Sequence, residues 1–130
     1  MGWRVEYYEQ EDTVQPAEVF EDALKRTHRK LATKLESIVL SLEIYGPRLG
    51  GGLIEACRGY SGLWELRAIF SGWLGREMFG FDGERVVLLH GYIKRAGEPA
   101  SARDLKQAFA YWQDYQRTHR ISPEIPEEEA

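Results

Sequence analysis

Apolar and polar positions alternate over residues 3–8, with Trp3, Val5 and Tyr7 on one face, which predicts a first strand. An acidic turn over 9–13 follows. Pro16 then suits the first turn of a helix, and Val19, Phe20, Ala23 and Leu24 continue at helical spacing. Leu31, Leu35, Ile38, Val39, Leu42 and Tyr45 form one stripe of a long amphipathic helix that Gly46-Pro47 stops. One bent helix or two would fit 16–45, with Thr27 a possible cap between them. Residues 48–62 show no strong period. Gly50-Gly51-Gly52 lacks the lysine and the strand–loop–helix setting of a nucleotide-binding loop, so the segment reads as a glycine-rich connection.

From Leu63 the pattern changes to β. Segments 63–70, 73–81 and 85–94 are rich in aromatic and branched residues, separated by the turn pairs Ser71-Gly72 and Asp82-Gly83. They predict an antiparallel meander. Ser101-Ala102-Arg103-Asp104 reads as a helix start with a reciprocal cap, and Leu105, Ala108, Phe109, Trp112 and Tyr115 supply that helix's apolar stripe. The order is β-α(α)-β-β-β-α, an α+β domain over 1–120 with an acidic flexible tail over 121–130.

The turns also predict which side chains meet. A two-residue Ser71-Gly72 turn pairs Phe70 with Trp73 and puts Arg67 directly opposite Arg76. Like charges so placed are unfavourable unless a bound phosphate or a carboxylate such as Glu65 offsets them. In the last strand His90, Tyr92 and Lys94 share one face, and Val87, Leu89 and Ile93 the other. A plain Asp82-Gly83 turn would separate the apolar sets. A bulged turn with Gly83 left-handed unites them, and brings Arg67, Arg76, His90, Tyr92 and Lys94 onto one face.

Composition bounds the function. A chain of 130 residues with 43% hydrophobic positions makes one folded domain. The single cysteine, Cys57, excludes an internal disulfide framework and fits a reducing compartment. The N-terminal segment lacks the apolar run of a secretion signal, and no stretch is long enough to span a membrane, so a cytoplasmic protein is expected. The net charge of −4 hides an asymmetry: residues 25–120 hold 16 of the 17 Lys and Arg against 10 Asp and Glu, a local +6. A basic middle between acidic ends suits a phosphate-binding surface.

Three phrases resemble the RelE/ParE toxin superfamily, and within it the phage-derived HigB-like branch. They are Leu63-Trp64-Glu65-Leu66-Arg67, then Arg76-Glu77-Met78-Phe79-Gly80-Phe81-Asp82-Gly83, then the apolar run from Val86 to the basic pair Lys94-Arg95, followed by a helix from Ser101. The match covers residues 60–115; the N-terminal half agrees in pattern. The resemblance implies a twisted sheet with the helices packed on one face and the C-terminal helix at its rim. It implies the toxin of a type II toxin–antitoxin system, a ribosome-dependent mRNA endoribonuclease that inhibits translation. Its partners would be a helix-turn-helix antitoxin, the ribosome and mRNA. Where the family often continues the basic pair with lysines, residues 96–100 here are neutral to acidic.

RNA can be cut without a metal, because its own 2′-hydroxyl attacks the adjacent phosphate. The protein must move protons and stabilise charge on phosphorus, and arginine suits the second task by its bidentate fork. Arg67, Arg76, His90, Tyr92 and Lys94 are therefore the candidate catalytic residues, with Arg95 and Arg58 as RNA-binding residues. Each also has a plainer use in ion pairs or packing. His28 and His119 lack neighbours at metal-ligand spacing, so neither a metal nor another cofactor is expected. Two other functions compete: gyrase poisoning of the ParE type, and a non-enzymatic phage-derived interaction module.

Overall fold

The computed structural model describes residues 2–119; the expected acidic tail lies outside them. Strand β1 (Arg4–Tyr7) leads to helices α1 (Pro16–Thr27) and α2 (Arg29–Tyr45) and a short 3-10 turn at Gly46–Arg48. Strands β2 (Ile54–Ala56), β3 (Trp64–Phe70), β4 (Trp73–Asp82) and β5 (Arg85–Arg95) follow, and helix α3 (Ala102–Thr118) ends the described chain. No described helix is long and apolar enough to cross a membrane.

The α+β class holds, but the sheet has five strands in the order β1-β5-β4-β3-β2. The two helices carry the chain from β1 at one edge to β2 at the other, and the sheet is mixed because β5 then lies parallel to β1 while the other pairs are antiparallel. Strand β2 sits within the segment read as a connection. Only Ile54, Glu55 and Ala56 pair with β3, which is too short a run to carry a period. The 16–45 segment is two helices, broken at His28 (φ −141°, ψ 69°), and Thr27 does not cap α2: its hydroxyl donates back to the Ala23 carbonyl.

Residue parity explains the two cores. Leu66, Ala68, Phe79, Val86 and Leu88 point at α1 and α2, where Leu24, Leu31, Leu35 and Leu42 cover them. Met78, Val87 and Leu89 point the other way and are covered by Ala108, Trp112 and Tyr115 of α3. Helix α3 therefore covers the second face of the sheet; it is not a rim element beside helices that all share one face. Strands β4 and β5 are apolar on both sides, and a helix at the rim would leave one side in water. Gly80 permits the close approach: a Cβ there would fall 2.6 Å from the Trp112 ring.

The Ser71-Gly72 turn forms as expected. Both residues have positive φ (54° and 84°), and Phe70 pairs with Trp73. The second turn differs. It is Gly83-Glu84, closed by Asp82 and Arg85, with Gly83 left-handed (φ 60°). The register then shifts between Met78 and Phe79: Phe79 faces Leu88, Met78 faces His90, and Leu89 is the extra residue of a bulge. The bulge lies inside the strand, not at the turn. It parts the expected apolar set, leaving Val87 and Leu89 under α3 while Ile93 packs toward α1 and α2.

Candidate functional site

Arg67 and Arg76 face each other across β3 and β4, on the α3 side of the sheet. The buried carboxylate between them is Glu65, 6% exposed. Its Oε1 accepts from Arg76 Nη1 at 3.2 Å, and its Oε2 lies 3.8 Å from Arg67 Nη1. Arg67 also pairs with Glu55 of β2. Burial pushes the Glu65 carboxyl above its usual range, and the charges of Arg76 and Arg67 only partly offset it.

These groups line a groove of about 390 Å³ with Cys57, Arg58, Ala100 and Leu105. Strands β2 to β4 make its floor, and the start of α3 makes one wall. Three arginines, Arg58, Arg67 and Arg76, thus open onto one space with the carboxylates Glu55 and Glu65. Arg76 Nε is buried and has no hydrogen-bond partner among the described residues. The Cys57 thiol is pushed up to about 12, first by burial and then by Glu65, and stays protonated.

The other sequence-predicted residues are placed differently. Tyr92 lies opposite Arg76 in β5. Its hydroxyl accepts from Arg76 Nη1 at 3.5 Å and from the Ser101 backbone N–H at 3.2 Å, so it supports Arg76 from beneath α3. His90 shares the face, but Asp104 holds it: Nε2 lies 2.7 Å from Asp104 Oδ1. Lys94 Nζ donates to the Glu98 carbonyl. Arg95 lies over the Trp73 ring, 4.4 Å from its centroid, on the α1–α2 side of the sheet and away from the groove. Of the seven candidates, Arg58, Arg67 and Arg76 line the groove, Tyr92 touches it through Arg76, and His90, Lys94 and Arg95 do not line it.

The start of α3 ties the support together. The Ser101 hydroxyl accepts from the Asp104 N–H at 3.2 Å and donates to Asp104 Oδ2 at 2.6 Å. Only half of the expected reciprocal cap forms, because the Ser101 N–H is taken by Tyr92. Burial alone would raise the Asp104 carboxyl, but the bonds from Ser101 and His90, with the His90 and Arg103 charges, hold it below its usual range. A continuous chain thus runs Glu65–Arg76–Tyr92–Ser101–Asp104–His90. Sequence reasoning missed Asp104 as the histidine's partner, although Ser-x-x-Asp was visible, and it missed Glu55, which sits on a strand that shows no period.

Among the described residues no three His, Cys, Asp or Glu side chains converge as metal ligands. No known family model matches the chain, and neither does any curated protein.

Proposed function

We propose that the groove binds RNA phosphate and that the chain is a RelE/HigB-type toxin, cutting mRNA on the ribosome in the cytoplasm. The observation that carries this reading is the Arg67–Arg76 pair on Glu65, with Arg58 on the same groove. Glu65 and Glu55 offset the repulsion of the two guanidiniums only in part, and a phosphate in the groove would bridge the forks of both. As the 2′-oxygen attacks phosphorus, the O5′–P bond breaks. The 2′-hydroxyl proton passes to the Glu65 carboxylate, and the leaving 5′-oxygen takes a proton from solvent. The products carry a 2′,3′-cyclic phosphate and a 5′-hydroxyl.

In this scheme Arg67 and Arg76 stabilise charge on phosphorus, Arg58 holds a neighbouring phosphate, and Glu65 moves the proton. Tyr92 is a positioning residue for Arg76, and His90 acts through Asp104 on the start of α3. Val19 and Leu40, each 57% exposed, and Ile44 at 66% offer an apolar anchor on α1 and α2 for an antitoxin. Mapping mRNA 5′ ends in cells after induction tests the reading: the wild type should leave new 5′-hydroxyl ends on translated messages, and Arg76→Ala none.

One observation favours a second reading, a non-enzymatic interaction module. Glu55 and Glu65 leave the three groove arginines a net charge of only +1, and Lys94 and Arg95 add nothing to the groove. A module of this kind would leave mRNA ends unchanged.

A further inference from the structure

Residue parity along β4 puts Glu77 among Gly75, Phe79 and Phe81, on the face turned to α1 and α2. It is wholly buried there, at 0% exposure. Its strand neighbours are Leu66 in β3 and Gly91 in β5, which bring no charge. Gly91 is bare because the Phe20 ring of α1 lies against it, so that a Cβ would overlap the ring. That contact lowers α1 onto the sheet and carries the next residue, Glu21, to the Glu77 carboxyl. Among the described residues neither Glu77 oxygen receives an amide, hydroxyl or basic donor. After burial, the group that acts on Glu77 is the Glu21 carboxyl, which also accepts the Tyr7 hydroxyl from β1.

Two carboxylates cannot hydrogen-bond to each other; one must carry a proton. The groups that face the pair make this stricter. Helix α1 adds Glu18 near Tyr7, and β1 adds only the phenol. Lys25 of α1 and Glu36 and Glu43 of α2 line a cleft of about 300 Å³ that Glu21 and Tyr7 also border. No lysine or arginine is paired with Glu77 among the described residues.

We propose that Glu77 and Glu21 hold one proton between them at neutral pH, and that this proton latches α1 to the sheet. Burial first, and then Glu21, push the Glu77 carboxyl well above its usual range, in keeping with the geometry. The proton belongs to the pair, as for any two carboxyls in contact. Removing it places two negative charges together in an apolar layer, and the strand cannot move, so α1 is the element that yields.

The pH dependence has a definite sign. The unfolded chain releases this proton near the ordinary glutamate value of about 4.3, whereas the folded chain keeps it. The stabilisation is complete below that value. Above it the unfolding constant rises by about tenfold per pH unit, until the folded pair itself ionises.

Urea unfolding of the full chain between pH 5 and 8 tests the latch. Glu77→Gln keeps the shape without the proton, so the tenfold-per-unit component should vanish; Glu77→Leu, which fills the apolar site without a carboxyl, should remove it too if the first variant folds poorly. Carboxyl-carbon NMR of the wild type should show one proton still held by the Glu77–Glu21 pair at pH 7. Hydrogen exchange, corrected for its intrinsic pH dependence, should lose protection in α1 before α3 as pH rises. Equal pH slopes in wild type and both Glu77 variants, a pair with both carboxyls ionised at pH 6, or loss of protection in α3 first would each overturn the proposal.

Discussion

Arg67 and Arg76 stand directly opposite each other on neighbouring strands, and both lean on the same buried carboxylate, Glu65. Cross-strand like charges destabilise a sheet. Here the repulsion is held in check by one acid below the pair and a second, Glu55, at the edge. An anion arriving from the groove would find two forks already aligned.

Arg76→Ala removes a charge from the phosphate and a partner from Glu65. Cleavage should fall on the order of a hundredfold or more, as when one transition-state donor is deleted. Leaving the buried Glu65 with Arg67 alone should cost about 1–3 kcal/mol in urea unfolding. Arg76→Lys should recover most of that stability and only part of the rate, because an ammonium keeps the charge and loses the fork.

Glu55→Ala frees Arg67 at an exposed position. Stability should change by less than about 1 kcal/mol, since surface ion pairs contribute little. Binding to single-stranded RNA should tighten, and its logarithmic salt slope should steepen by about one unit. Fluorescence titrations at several salt concentrations would show this; an unchanged slope would mean that Arg67 does not meet the backbone.

Gly80→Ala pushes a methyl into the Trp112 ring. A destabilisation of about 1–3 kcal/mol is expected from overpacking, with loss of the near-ultraviolet tryptophan signal. A neutral effect would contradict the placement of α3 against β4.

Asp104 supports the start of α3 and holds His90. Its carboxyl is depressed in the folded state, so its stabilisation is present above the ordinary aspartate value of about 3.9 and is lost as pH falls through the lower folded value. Asp104→Asn should therefore be less stable than wild type at pH 7, and the gap should close on acidification. Thermal melts across that range check this; a constant gap would mean that the Asp104 carboxyl is not held down by Ser101 and His90 in the folded state.

Turn chemistry made the Arg67–Arg76 pair legible, because Ser71-Gly72 admits one register. The shared face of Arg76, Tyr92 and Lys94 was legible too, though by a different route: the sequence points to a bulged turn at Gly83, and the chain makes its bulge at Leu89. Hydrophobic pattern specifies parity and leaves open where the extra residue goes. Strand β2 was hidden because three residues carry no period. The cover of α3 over the second face was readable in principle, since Val87 and Leu89 alternate with Val86 and Leu88 on a strand apolar on both sides. Glu77 was readable in the same way, as an acid in phase with Phe79 and Phe81. What no pattern gives is the reach of a side chain, so the hold of Asp104 on His90 and of Lys94 on the Glu98 carbonyl came only with the fold.

The central claim is that the arginine groove cuts mRNA held on a ribosome. Purified protein, incubated with a reconstituted translating complex under single-turnover conditions, should cleave the message to a 5′-hydroxyl end. Arg76→Ala should cut at one-hundredth of that rate or less. Intact mRNA with the wild-type protein, or equal cleavage by wild type and Arg76→Ala, would contradict the account.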